Sequence, residues 1–372
     1  MHEGCACGSL SNAQLIKGLN AIDEILVKAK VLPEWRRLVL VEERFRKEVE
    51  RAWSKRAERA VKQATQRIRA SKGKVTAKDL SAALKMVESA FANLGEELFD
   101  STRETLREGF RLGISAMNKK IKGKYRGTLR YDFVPVSKAP TTTTPGLGFD
   151  FASFDVADEE AVRALAEKHT FWIGRHYKRN IAAAVRRIAR TAIRETGGDP
   201  KRAGEQLARL LRREFDYDPR DPFTGPYAEI PTGWRGSTRE YFEMVAANAM
   251  TTARVAGQLT AMQSVGATRY TVVNPLDERT CTECRYMSGH AINMPVDQAY
   301  DHLQQEIGAS PTAVRERLHP WGTVGDYRRA AERPGRWSQA TAGKMIDAGY
   351  GFPPYHGRCR CTVDISDTSA FL

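Results

Sequence analysis

The chain has no hydrophobic run approaching the roughly 20 apolar residues that cross a bilayer, and its first residues, MHEGCACGSLSNAQ, lack the apolar core of a secretory leader. A cytoplasmic site of synthesis is therefore expected. No nucleophile elbow, phosphate-binding glycine loop or HExxH helix occurs, which sets aside the commonest hydrolase and nucleotide-binding classes. Acidic residues are outnumbered: 45 Asp and Glu against 59 Lys and Arg leave a formal net charge of +14. Such a balance attracts polyanions, whether nucleic acid, acidic protein surfaces or anionic membrane faces. Cysteine is scarce too. The six cysteines form three short pairs, Cys5/Cys7, Cys281/Cys284 and Cys359/Cys361, whereas a disulfide-stapled secreted protein is shorter and more evenly studded. Clustered thiols in a reducing compartment point to metal.

At 372 residues the chain exceeds one typical core, so two domains are expected. The first third reads as long helices. Ser11 and Gln14 have capping-box spacing ahead of Leu15, Leu19, Ile22 and Val27. A second helix runs from Pro33 to about Ala70, with Leu38, Val41, Phe45, Val49 and Ala52 stepping by three and four. Thr76 and Asp79 cap a third, whose buried side is Leu80, Leu84, Val87, Phe91, Leu94 and Leu98 and whose signal continues to about Lys122. Residues 1–122 are thus a helical region in a hairpin or bundle. Trp35 and Trp53 serve either as partner anchors or as core of that hairpin. Between 123 and 155 periodicity disappears, and SKAPTTTTPGLGFDF fits a linker.

Helix resumes from about Asp158 to Thr196, with Val162, Leu165, Ile173, Ile181, Val185 and Ile188 as core positions and Gly197-Gly198 as the stop. Asp199-Pro200 opens a short helix holding Leu207, Leu210, Leu211 and Phe215. Ser237 and Glu240 form a further capping box for a helix that runs to about Val265 and closes at Gly266. Strands are expected at RYTVV, residues 269–273, and at 362–365. The expected fold class is mainly α: long N-terminal helices, then a helix-rich module ending in a small, zinc-stapled α+β part.

The first strand leads into DERTCTECRYMSGHAI, where Cys281 and Cys284 have the separation of a zinc knuckle. Far downstream, PPYHGRCRC offers His356, Cys359 and Cys361, three candidates for two remaining places on one ion. Four such ligands close the shell, so the site is structural; a catalytic zinc keeps a position open for water. A redox role for Cys281/Cys284 requires a helix N-terminus in a thioredoxin-like context, which the sequence does not display. Asp277 and Arg279 read as turn residues holding the knuckle, and His290 as an exposed turn side chain. Cys5 and Cys7, with His2 nearby, are either a second metal half-site or a frayed terminus.

DERTCTECRYMSG followed by PPYHGRCRC, with ANAMTTARVAGQLTAMQSVGATRY before them, resembles the phage Mu protein F-like family of head morphogenesis proteins, over about Ala157 to Ile365. The resemblance implies a domain over 156–372, a minor head protein of a tailed phage or prophage, and action with the portal and with capsid or scaffolding proteins in procapsid assembly. It also implies a place in the virion head near packaged DNA. Cys281, Cys284, His356, Cys359 and Cys361 become the family's metal cluster, with no catalytic residues. The segment at about 294–351 is longer than the family's usual connection and counts as an insertion. Arg175, Arg179, Arg186, Arg190 and Arg194 recur at helical spacing and are candidate contacts to double-stranded DNA, or else a solvated helix face. With no aromatics interleaved, such contact is sequence-independent. Two other classes stand beside assembly: a head-carried enzyme such as a nuclease or delivered effector, and a plain DNA-binding protein.

Overall fold

The computed structural model describes residues 33–125, 154–215, 228–229, 235–236, 238–274, 280–332 and 337–366. Over these the chain is mainly helical, with a small three-stranded antiparallel sheet near the C-terminus. The helix expected after Ser11, Cys5/Cys7, most of the expected linker, Ser237, Asp277 and Arg279 lie outside the described residues, as does the side chain of Trp35. No described helix is long and apolar enough to cross a membrane.

Helix α1 spans Pro33–Arg69, and all five expected core positions, Leu38, Val41, Phe45, Val49 and Ala52, are buried along it. Helix α2, Ala77–Phe91, starts at a capping box in which the Asp79 amide donates to the Thr76 hydroxyl at 3.3 Å and the Thr76 amide to the Asp79 carboxylate at 3.1 Å. Its buried stripe is Ala83, Val87, Ala90 and Phe91, with Leu80 and Leu84 only half-buried at the stripe's edge. The chain then breaks into a single turn, α3 (Leu94–Glu97), before α4 (Phe99–Tyr125).

The helix expected over 158–196 is three pieces. Helix α5 (Val156–His176) widens into a π segment, Tyr177–Ile181, and continues as α6 (Ala182–Glu195). Gly197 and Gly198 end it at φ of 61° and 79°, with the Gly198 amide reaching back to the Ile193 carbonyl at 2.9 Å. Two consecutive left-handed residues are why glycine is needed there. Helix α7 (Pro200–Glu214) is capped by Asp199, which accepts from the Arg202 amide at 2.7 Å. A two-residue pairing of β1 (Ala228–Glu229) with β2 (Arg235–Gly236) precedes α8 (Thr238–Ser264).

The sheet has the order β4-β3-β5, with β3 at Arg269–Val273, β4 at Met294–Pro295 and β5 at Thr362–Ile365. Strand β3 buries Tyr270 and Val272 and pairs Val272 with Val363, the alternation expected of a half-covered sheet. Between β3 and β5 lie α9 (Thr282–His290), α10 (Val296–Gly308), a turn α11 (Pro311–Ala313) running into a second π segment (Val314–Leu318), α12 (Val324–Ala331) and α13 (Gln339–Asp347).

Contacts group the described residues into two compact units that interleave along the sequence, with divisions falling inside α1, α4, α5 and α8. One unit draws on residues 43–104 and 166–246. Its core is aromatic. Trp53 lies against Phe91 (4.4 Å between ring centroids), His176 and Phe242, and its indole N–H donates to the Phe215 carbonyl at 3.1 Å. His176 stacks on Tyr241 at 4.1 Å, and burial holds its pKa down at about 3, so the ring is neutral.

The other unit draws on residues up to 42, 105–165 and 247 onward, and it holds the sheet. Leu38, Val41, Leu112 and Met250 form one buried cluster. Helices α4 and α8 touch at glycines: a Cβ on Gly257 would lie 2.2 Å from the Phe110 carbonyl oxygen, and one on Gly113 2.2 Å from that of Arg254. That approach sets α8 under the strap that follows α13.

Candidate metal centre

Strand β3 ends at the buried Asn274, whose amide donates to the Ser288 hydroxyl and, at 3.4 Å, to the Cys284 carbonyl. The first turn of α9 is thereby fixed to the end of the sheet. Cys281 is the N-cap of α9, and its sulfur accepts from the Cys284 amide at 3.4 Å. A helix N-terminus favours thiolate at that position.

The second half of the site is the strap from Gly351 to Cys361, which is held from several sides. Tyr270 on β3 donates to the Gly351 carbonyl at 3.0 Å, and His319 sits 3.0 Å from the Pro354 carbonyl. On α12, Tyr327 donates to the Tyr355 carbonyl at 3.4 Å. From α8, Thr251 donates to the Cys359 carbonyl at 2.7 Å, while Gln258 accepts from the Thr362 hydroxyl at 2.7 Å. The strap turns at Arg358, in the left-handed region at φ 63°, where the Cys359 amide meets the His356 carbonyl at 3.3 Å.

These supports bring the two halves together. His356 Nε2 lies 3.0 Å from the sulfurs of both Cys281 and Cys284, and Cys284 Sγ lies 3.8 Å from Cys359 Sγ. His356 Nδ1 faces the Gly357 carbonyl at 2.6 Å. Nδ1 therefore donates to that carbonyl, and Nε2 is the nitrogen that faces the two sulfurs, the orientation a metal-ligating histidine takes once Nε2 has given up its proton. Two overlapping trios gather their ligand atoms within 4.8 Å: Cys281, Cys284 and His356, and Cys284, Cys359 and Cys361. Cys284 belongs to both. Cys284, Cys359 and Cys361 are buried, and Cys281 and His356 partly so.

Hydrogen bonding among the thiols shifts them in opposite directions. The hydrogen bond from Cys284, joined by that of His356, pulls the Cys281 pKa down to about 3. Burial works against ionisation at Cys359, yet hydrogen bonds from Cys284 and Cys361 and the charge of His356 hold it well below the usual thiol range. Hydrogen bonds to Cys281, Cys359 and Cys361 raise Cys284; the hydrogen bond from Cys284 alone would lower Cys361, but that to Cys359 and burial raise it. Burial alone would lower His356, but its bond to Cys281 and the neighbouring thiolates raise it to about 9.

Chemically, three thiols and an imidazole suit a soft or borderline cation. A tetrahedral zinc with Zn–S near 2.3 Å and Zn–N near 2.0 Å sets neighbouring sulfurs about 3.8 Å apart and sulfur and nitrogen about 3.5 Å apart. The Cys284–Cys359 separation of 3.8 Å matches the first edge, and the two 3.0 Å contacts to His356 lie inside the second. The described cluster could hold a metal ion.

Several sequence expectations are revised by this geometry. His290 is not an exposed turn side chain: it is half-buried in the last turn of α9, bonded to the Tyr286 carbonyl at 2.7 Å and stacked on that ring at 4.1 Å. Cys281 does stand at a helix N-terminus, the feature whose apparent absence argued against a redox pair. What separates it from such a pair is the crowd of further ligands, since a redox Cys-x-x-Cys leaves its first sulfur open to a partner thiol. The segment 294–351 supplies His319 and Tyr327 to the strap and is thus part of the site's support. Sequence reading missed these two residues, along with Thr251 and Gln258, because none carries ligand chemistry of its own.

Of the arginines, Arg175, Arg186, Arg190 and Arg194 are exposed, and the side chain of Arg179 lies outside the described residues. No known family profile, curated protein or solved structure matches the chain.

Proposed function

We propose that the chain is a non-enzymatic minor head protein of a tailed phage or prophage, acting with the portal in procapsid assembly, and that one structural zinc staples its C-terminal module. The observation that supports this reading is the meeting of Cys284 with His356 and Cys359, 72 and 75 residues away. These are the two halves of the motif on which the resemblance rests. Cys281, Cys284 and His356 would supply three ligands. Cys359 is the fourth in this reading, because its sulfur stands 3.8 Å from that of Cys284, the length of a tetrahedral edge.

Bound there, zinc would supply a fixed tetrahedral joint between the first turn of α9 and the strap before β5. The protein's own residues do the rest: Asn274 positions the first pair, and Thr251, His319 and Tyr327 position the second. Four protein ligands leave no site for substrate water, so the function resides on the surfaces this module displays. The test is co-expression with the portal protein encoded in the same phage region, followed by affinity capture. Stoichiometric co-purification is the expected result; no association with portal or procapsids would sink the reading.

A further inference from the structure

The expected arginine stripe is divided by the π segment. Each π turn holds more residues than an α turn, so positions before and after 177–181 do not keep one helical phase. Arg175, ahead of it, lies over the Phe171 ring at 4.4 Å from the centroid. Beyond it, Arg186, Arg190 and Arg194, joined by Arg187, line an open groove of about 560 Å³ with Ala183 and Thr191. All four arginines are exposed. The opposite face of α6 is the buried one, carrying Ala182, Ala184, Val185, Ala189 and Ala192.

Several other arginines are neutralised: Arg37 pairs with Glu108, Arg67 with Asp79 and Arg107 with Glu159. None of the four on α6 makes an ion pair with a described carboxylate. Like charges at i, i+4 and i+8 repel one another and weaken a helix, so the cluster is explained by an external anion better than by the fold. Arg186 to Arg194 covers about 12 Å along the helix axis. A duplex carries a phosphate every ~3.4 Å of each strand, so the row spans three or four successive phosphates. Guanidinium is the side chain that binds phosphate oxygens in pairs. The lining between the arginines is small, Ala183 and Thr191, and includes no aromatic ring on which a base could stack.

We infer that the arginine face of α6 is a docking surface for the backbone of double-stranded DNA, bound without regard to sequence. This inference does not rest on the head-assembly reading, which portal capture tests separately.

The experiment is fluorescence anisotropy with a labelled 24-base-pair DNA duplex of mixed sequence, titrated with the full-length chain between 50 and 200 mM NaCl. Four neutralised phosphates correspond to a log–log salt slope of about −3.6, a loss of about 150-fold in affinity across that range. The Arg186→Gln/Arg187→Gln/Arg190→Gln/Arg194→Gln chain should lose about 3.6 from the parent's slope. A control removing equal charge from α1, Arg51→Gln/Lys55→Gln/Arg59→Gln/Lys62→Gln, all at exposed positions, should change the slope by less than about one. The single Arg190→Gln chain, expected to lose about 0.9, gives the answer if the quadruple variant is poorly folded by circular dichroism. Equal effects of the α6 and α1 sets, no effect of Arg190→Gln, absence of parent binding, or tighter binding to single-stranded DNA or polyglutamate than to the duplex would each overturn the inference.

Discussion

Replacing Cys284 with serine should abolish metal binding and remove the stability that the metal confers. Cys284 is common to both ligand trios, so without its sulfur neither trio is complete and the link between Cys281/His356 and Cys359/Cys361 is lost. The size of the effect follows from linkage. An ion that binds only the folded chain stabilises it by about 2.7 kcal/mol at a free concentration of 100 times Kd and about 4.1 kcal/mol at 1,000 times. For a unit of 150–250 residues, 1 kcal/mol moves Tm by about 2–4 °C, which gives roughly 5–16 °C. The assay is thermal unfolding by circular dichroism of the parent, with zinc and with excess chelator, beside Cys284→Ser under the same two conditions. The parent should fall by this amount on chelation, and the variant should start low and ignore both additions. A parent that purifies with no bound metal, or whose Tm is unmoved by zinc and chelator, would falsify the zinc assignment.

Within the same centre, Cys359→Ser should lower bound zinc from about one ion per chain to near zero, while Cys361→Ser keeps it, as read by elemental analysis; the reverse result would exchange the two roles. Gly257→Ala should destabilise by about 1–3 kcal/mol, because its new methyl would meet the Phe110 carbonyl. In contrast, Gly289→Ala in α9, with nothing within 4 Å of the new atom, should stabilise by about 0.5–1 kcal/mol; urea unfolding distinguishes the signs. Glu306 is buried between His319 at 2.9 Å and His302 at 3.5 Å. Burial alone would raise Glu306, yet the charge and hydrogen bonds of the two histidines hold it below its ordinary value. Burial alone would lower His302, yet its bonds to Glu306 and the Leu318 carbonyl raise it. The Glu306 contribution is therefore present above about pH 4.5 and fades as pH falls through its lowered value, whereas that of His302 is present below about pH 6.5 and fades as pH rises through its raised value. Glu306→Gln should flatten that profile and cost about 3–5 kcal/mol near pH 6, measured by urea unfolding across pH.

Much of the helical frame could be read from the residues alone, because burial on a helix writes itself as a three-and-four step. Phe45 and Val49 are buried where that step puts them, and Thr76 caps with Asp79 as their spacing requires. Strands β3 and β5 were legible for a similar reason, a period of two between turn residues. The π segment was not legible. YKRNI contains no breaker, and its wider turn is a matter of packing around Tyr177, whose ring stacks on Phe91 at 4.7 Å. At the metal centre, ligand chemistry identified the five candidates, but no local pattern could state that 75 residues close to 3.8 Å. Nor could it give His319 and Tyr327 their part, since a residue that braces a strap through a carbonyl needs only reach and a proton to donate.

The contact between Cys284 and Cys359 also has a meaning in time. At ribosomal speeds of about 5–20 residues per second, 75 residues take roughly 4–15 s to synthesise. For that interval the nascent chain carries Cys281 and Cys284 without their partners, and β3 without β5. Any chain that stops inside the interval displays an open sheet edge, which is an aggregation template, together with two unclaimed thiols. Closure of the cluster thus records that translation has passed Cys359, and the strand that closes the sheet, Thr362–Ile365, follows directly behind it.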